Sequence, residues 1–118
     1  GLDISQNAFS KFPTGPLTCK GLTVFGIRGQ RDANGERCLR EWPTGLYNHV
    51  GLRGFYIGSN DLRKIDDTIS TAIWTLDISD NPNIRFDASG VCSAWQSGAY
   101  VLIYDKTQNI VNCDAMLE

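Results

Sequence analysis

The sequence is short of several residue types, and each shortage removes a class of function. It holds one histidine, His49, so a two-histidine catalytic mechanism is excluded. Its four cysteines, Cys19, Cys38, Cys92 and Cys113, contain no CxxC pair. A tetrahedral zinc site uses convergent ligands with close pairs, so the spacing argues against zinc. No apolar run approaches the roughly 18–20 residues of a membrane span. There is no N-x-S/T sequon and no low-complexity linker. The chain begins at Gly1 with neither an initiator methionine nor an apolar leader, which reads as a mature, processed form.

What remains is enough for one domain. The chain has 118 residues, 42% hydrophobic and 20% charged, which supports a packed core. Its net charge is -2, which makes nucleic acid an unfavourable partner. The charge is unevenly placed. Residues 20–64 carry a net +4 and residues 65–118 a net -6. Arginine outnumbers lysine seven to four, and its planar fork suits carboxylate, sulfate or phosphate. Arg28, Arg31, Arg37 and Arg40 flank a turn signal at Asn34-Gly35 and form the first candidate binding surface.

An internal echo organises the chain. LDISQNAFSKF at 2–12 matches LDISDNPNIRF at 76–86 in six of eleven positions. Each copy runs on to a glycine, a cysteine, an apolar strand and a second cysteine. One domain over 1–118 then holds two pseudo-repeats, about 2–38 and 76–113, around a central segment 39–75. Four cysteines allow three pairings. The echo suggests Cys19–Cys38 with Cys92–Cys113, each link worth about 3 kcal/mol. Cys19–Cys113 with Cys38–Cys92 is the alternative.

Alternating apolar and polar residues dominate, so the expected fold is mainly β. Strands are expected at 22–28, 55–57, 69–79 and 99–104. Residues 109–113 would pair back on 99–104 across a turn. One short helix is expected near 60–66, capped by Ser59 or Asn60. A small disulfide-bonded two-sheet β-sandwich satisfies this pattern.

Asp66-Asp67-Thr68-Ile69-Ser70-Thr71 resembles the D/N-D/N-x-x-S/T-S calcium motif of microbial βγ-crystallins. The resemblance implies a Greek-key fold and a calcium site using Asp66, Asp67 and Ser70, since calcium takes hard oxygens. Thr71 stands where the family has serine, and one motif is present where the family pairs two. Glu41, His49 and an arginine are the candidates for a ribonuclease-like hydrolase, as base, acid and charge stabiliser. No nucleophile elbow or phosphate loop is present. The leading expectation is a secreted, non-enzymatic interaction protein, an effector, toxin or inhibitor acting extracellularly on a protein or glycan. It requires no cofactor, with calcium the one candidate.

Overall fold

A computed structural model describes residues 1–13, 15–43, 51–65 and 73–117. The strands are three residues long or shorter: β1 (Leu2–Asp3), β2 (Val24–Gly26), β3 (Gly54–Tyr56), β4 (Thr75–Asp77), β5 (Arg85–Asp87), β6 (Val101–Ile103) and β7 (Asn109–Val111). Helix α1 (Cys92–Ser97) lies between β5 and β6, and α2 (Asp114–Leu117) follows β7. Five strands form one sheet in the order β1-β2-β3-β4-β6, with every neighbouring pair parallel. A second parallel pair, β5 with β7, makes a smaller sheet. Parallel neighbours taken in chain order require a full turn between strands. The chain is therefore a β-solenoid of about four turns.

This architecture corrects the sandwich and the βγ-crystallin resemblance, both of which need antiparallel Greek keys. Among the described residues the one antiparallel contact is the isolated Arg31–Arg37 bridge around the Asn34-Gly35 turn. Residues 109–111 do not return to 99–104 but pair with β5. The helix expected near 60–66 is also absent over its described residues. The N–H groups of Asp61, Leu62 and Ile65 donate to other coils, namely to Leu39 O, Asn81 Oδ1 and Arg85 O. An N–H spent on a neighbouring coil is unavailable to a helix.

Each strand presents apolar residues inward at alternate positions. Leu2, Phe25, Phe55, Leu76 and Leu102 stand side by side. Ile4, Ile27, Ile57, Ile78 and Tyr104 follow two residues later. Phe25, Ile27, Phe55, Ile57, Leu76 and Ile78 are fully buried. Phe12 and Trp42 close on this core, both packing edge-on against Phe55, and Phe12 also lies tilted against Phe25.

A second column explains how the chain leaves the sheet. Asn7, Gln30, Asn60 and Asn81 each follow a residue with positive φ: Gln6 (59°), Gly29 (64°), Ser59 (57°) and Asp80 (53°). That left-handed residue ends the strand and turns the following amide toward the backbone. Only Gly29 adopts it without steric cost. Asn60 is fully buried; its Nδ2 donates to Ile27 O, Ile57 O and Gly58 O, and its Oδ1 accepts from Gln30 N. Asn81 repeats this one coil later, donating to Ile57 O, Ile78 O and Ser79 O and accepting from Leu62 N. Gln30 donates to Ile4 O and Arg28 O and accepts from Phe9 N. Gln108 donates to Ile78 O and Asn81 O.

The last coil is closed covalently. Cys92 at the start of α1 bonds to Cys113 just ahead of α2. Cys38 keeps its thiol, which lies 3.4 Å from Phe9 O, so the link expected between Cys19 and Cys38 is not made. Tyr100 is buried, and its hydroxyl has no partner among the described residues. Burial raises its pKa above the ordinary phenol value.

Two substitutions separate a satisfied polar group from an unsatisfied one. Asn60→Ala strips partners from Gln30 N–H and three carbonyls and is expected to cost about 3 kcal/mol in urea unfolding. Tyr100→Phe removes a hydroxyl that gains nothing and is expected to be neutral or stabilising by about 1 kcal/mol.

Candidate functional site

The outward side chains of the large sheet form the most distinctive exposed surface. They alternate with the buried columns, so their positions follow from the same register. One outward row is Val24, Gly54, Thr75 and Val101, and the next is Asp3, Gly26, Tyr56, Asp77 and Ile103. Val24, Val101 and Ile103 are exposed, and Trp74 at the upstream margin is 58% exposed. The Arg53 guanidinium lies over the Trp74 ring, 5.2 Å from its centre. This is an amphipathic aromatic set in the open rather than in the core.

Beside it lies a hollow of about 310 Å³, lined by Leu2, Val24, Gly26 and Tyr56 on its apolar side and Asp3, Ser5 and Arg28 on its polar side. Gly26 forms part of the hollow's lining; a Cβ there would sit 3.1 Å from the Asp3 carboxylate. Hydrogen bonds from the Ser5 hydroxyl and N–H hold the Asp3 carboxyl below the usual carboxylate range. The hollow therefore offers an ionised acid, an aromatic ring and aliphatic walls.

The four arginines expected to form an anion-binding patch lie along one margin of the sheet, and each is engaged within the chain. Arg28 crosses over Gly58 to pair with Asp77. A Cβ at position 58 would lie 2.6 Å from the guanidinium and 3.0 Å from Ser79 O, so a side chain there would make the arginine shift. Arg31 donates to Ser59 O and Ser59 Oγ. Arg37 donates to Asn60 O, Asp80 O and Asp80 Oδ1. Arg40 shares the Asp61 carboxylate with Arg63. The Arg37 hydrogen bond holds the Asp80 carboxyl below its ordinary range. Burial pushes Asp61 up, but the hydrogen bonds and charges of Arg63 and Arg40 outweigh it, and its pKa is lowered. These arginines join coils.

The remaining sequence candidates divide differently. Glu41 is exposed, while its proposed partner His49 lies outside the described residues. Asp66, Asp67 and Ser70 lie outside them as well. No group of three or more His, Cys, Asp or Glu side chains able to hold a metal occurs among the described residues. No helix there is long and apolar enough to cross a membrane. Sequence reasoning missed Tyr56, Trp74 and Ile103 as a surface. The signal for Tyr56 and Ile103 was positional, since each sits between two residues that the repeat sends inward, whereas alternation from Leu76 would have placed Trp74 inside.

No family model matches the sequence, and no curated protein matches it. Solved structures do. A leucine-rich repeat protein from Bacteroides eggerthii DSM 20697 superposes with a TM-score of 0.93 at 54% identity, over 99% of this chain and 19% of that one. A leucine-rich repeat protein from Bacteroides thetaiotaomicron VPI-5482 gives 0.93 and 52%, over 98% of this chain and 14% of that one. The chain thus spans less than a fifth of the length of either. The crystallin-like and toxin readings of the sequence give way to this similarity. The chain is a parallel β-solenoid that closely matches part of two leucine-rich repeat proteins.

Proposed function

We propose that this chain is a protein-interaction module that recognises its partner with the outward face of the five-stranded sheet. The observation that carries this is the grouping there of exposed Val24, Trp74, Val101 and Ile103 next to the Tyr56 hollow. Interfaces favour aromatic and apolar anchors with a polar rim. This surface supplies both, with Asp3 and Arg53 beside the apolar groups. Similarity to leucine-rich repeat proteins supports a protein as the partner. The ribonuclease-like and calcium-binding alternatives have no corresponding support.

A place outside the reducing cytoplasm is part of the proposal. The Cys92–Cys113 disulfide supports it, because such bonds persist in oxidising compartments.

A photo-crosslinking side chain at position 103 tests the face, with position 85 on the smaller sheet as control. Protein adducts are expected from position 103 and not from 85. Ile103→Arg should weaken the crosslinked partner's binding at least tenfold, since it places a charge within the apolar set. Adducts confined to position 85, or unchanged affinity in Ile103→Arg, would overturn the assignment.

A further inference from the structure

The two LDIS copies put an aspartate at two places in one outward row, and the protein neutralises only one of them. Asp3 and Asp77 stand in register, with Gly26 and Tyr56 between them. Each carboxylate accepts the N–H of the serine two residues on, Ser5 and Ser79, both at 2.9 Å. Asp77 then uses its second oxygen to hold the Arg28 guanidinium, which reaches it across Gly58. Asp3 makes no ion pair among the described residues. The same arrangement that takes a guanidinium at β4 is therefore open at β1.

The row is cleared of side chains beside that acid. Gly26 gives the hollow its floor, where a Cβ would lie 3.1 Å from Asp3 Oδ1. At Gly54 a Cβ would lie 3.2 Å from Tyr56 Cε2 and 3.7 Å from both Val24 methyls, so the ring edge and the valine lean together over β3. The space over Gly26 stays uncovered. Its volume of about 310 Å³ is small for a ligand pocket and suits one long side chain rather than a folded segment. Arg28, the other charged side chain of the lining, is already committed to Asp77. Gly1 also borders the hollow, and its amino group makes no ion pair with Asp3.

We infer that this hollow seats an arginine side chain of the protein partner, with its guanidinium paired to Asp3 and set against the Tyr56 ring. The inference rests on the reading of this face as a protein-binding surface and names the group that the hollow accepts. Arginine meets each wall in turn. Its methylenes cover Leu2 and Val24, its planar cation stacks on an aromatic ring, and its fork matches a carboxylate. A wholly apolar side chain would leave an ionised acid beside it without a partner, and an acidic one would be repelled. Lysine is the poorer occupant, because its ammonium is more strongly hydrated and does not stack.

Amide NMR of the intact chain, titrated with the blocked peptide acetyl-Gly-Arg-Gly-amide, tests this. Shifts centred on Gly26 and Tyr56 are expected, with β7 unmoved. Citrulline in place of arginine keeps the shape and removes the charge, and should weaken binding about tenfold or more. Lysine should weaken it about threefold. Asp3→Asn keeps an acceptor for Ser5 and should erase the preference for arginine over citrulline. Tyr56→Leu should erase the preference for arginine over lysine. Acetylating Gly1 should not lower the affinity, since it removes a competing cation. The peptide comparison on the unaltered chain stands whether or not a variant folds. Equal binding of arginine and citrulline, or of arginine and lysine, would overturn the inference. So would displacement of the arginine peptide by cellohexaose, which would make the hollow a sugar site. Adducts at position 103 without an arginine preference would leave the protein-binding face standing and remove only its arginine seat. An arginine preference without those adducts would remove the wider face and leave the seat.

Discussion

The buried side-chain amides are the constraint from which the rest of this solenoid follows. The backbone ladder runs past the three-residue strands as far as Gly29 and Ser59, and where the chain then turns it leaves carbonyls and N–H groups inside the protein. Buried backbone groups must find partners. Asn60 and Asn81 each supply three donor contacts and one acceptor, so a single side chain replaces what would otherwise be another stretch of ladder. Three non-glycine residues, Gln6, Ser59 and Asp80, hold positive φ to aim those amides. Each such conformation costs on the order of 1 kcal/mol. The hydrogen bonds formed in return outweigh it, because leaving the same groups unpaired costs more.

The amides also connect coils of unequal length. The segment between β2 and β3 contains the Asn34-Gly35 turn and is longer than the one between β3 and β4. Both arrive at the same register, Phe25 beside Phe55 and Phe55 beside Leu76. The tie between Asn60 and Gln30 N, and that between Asn81 and Leu62 N, depend only on where each strand ends. Loop length is thereby free to vary on the side away from the sheet. Repeat proteins of this kind gain stability from contacts between adjacent units.

This explains what the sequence made legible. The LDIS copies were visible because Leu2-x-Ile4-x-x-Asn7 and Leu76-x-Ile78-x-x-Asn81 keep the same residues, and they land on β1 and β4. The copies between them were hidden. Phe25-x-Ile27-x-x-Gln30 exchanges leucine for phenylalanine and asparagine for glutamine. Phe55-x-Ile57-x-x-Asn60 follows at a different interval, and Leu102-x-Tyr104 reaches Gln108 one residue late. Alternation correctly marked extended structure at 24–26, 55–56, 75–77 and 101–103, but period two is common to parallel and antiparallel strands. Nothing in a three-residue strand distinguishes them. The helix went to the wrong place for a related reason: Leu62 and Ile65 have helical spacing, yet they are the inward residues after the Asn60 turn. The true helix at 92–97 has no side-chain cap to announce it.

The charge asymmetry was legible and its consequence was not. A basic first half and an acidic second half suggest a dipole presented to partners. In a solenoid, residues distant in sequence become neighbours along the sheet margin, so Arg28, Arg37 and Arg40 meet Asp77, Asp80 and Asp61. Arg28–Asp77 and Arg37–Asp80 join the basic segment to the acidic one, Arg40–Asp61 lies within the basic segment, and the arginines become ties between coils. The sheet is thus held beneath by amides and along one margin by ion pairs, and of its outward rows Asp3 and Asp77 share in that support while the exposed apolar residues do not. Val24, Tyr56, Val101 and Ile103 stand on that supported surface, where substitution changes what is displayed without changing the register. A face so uncoupled from the fold can specialise toward a partner while the buried amides and the apolar columns stay as they are.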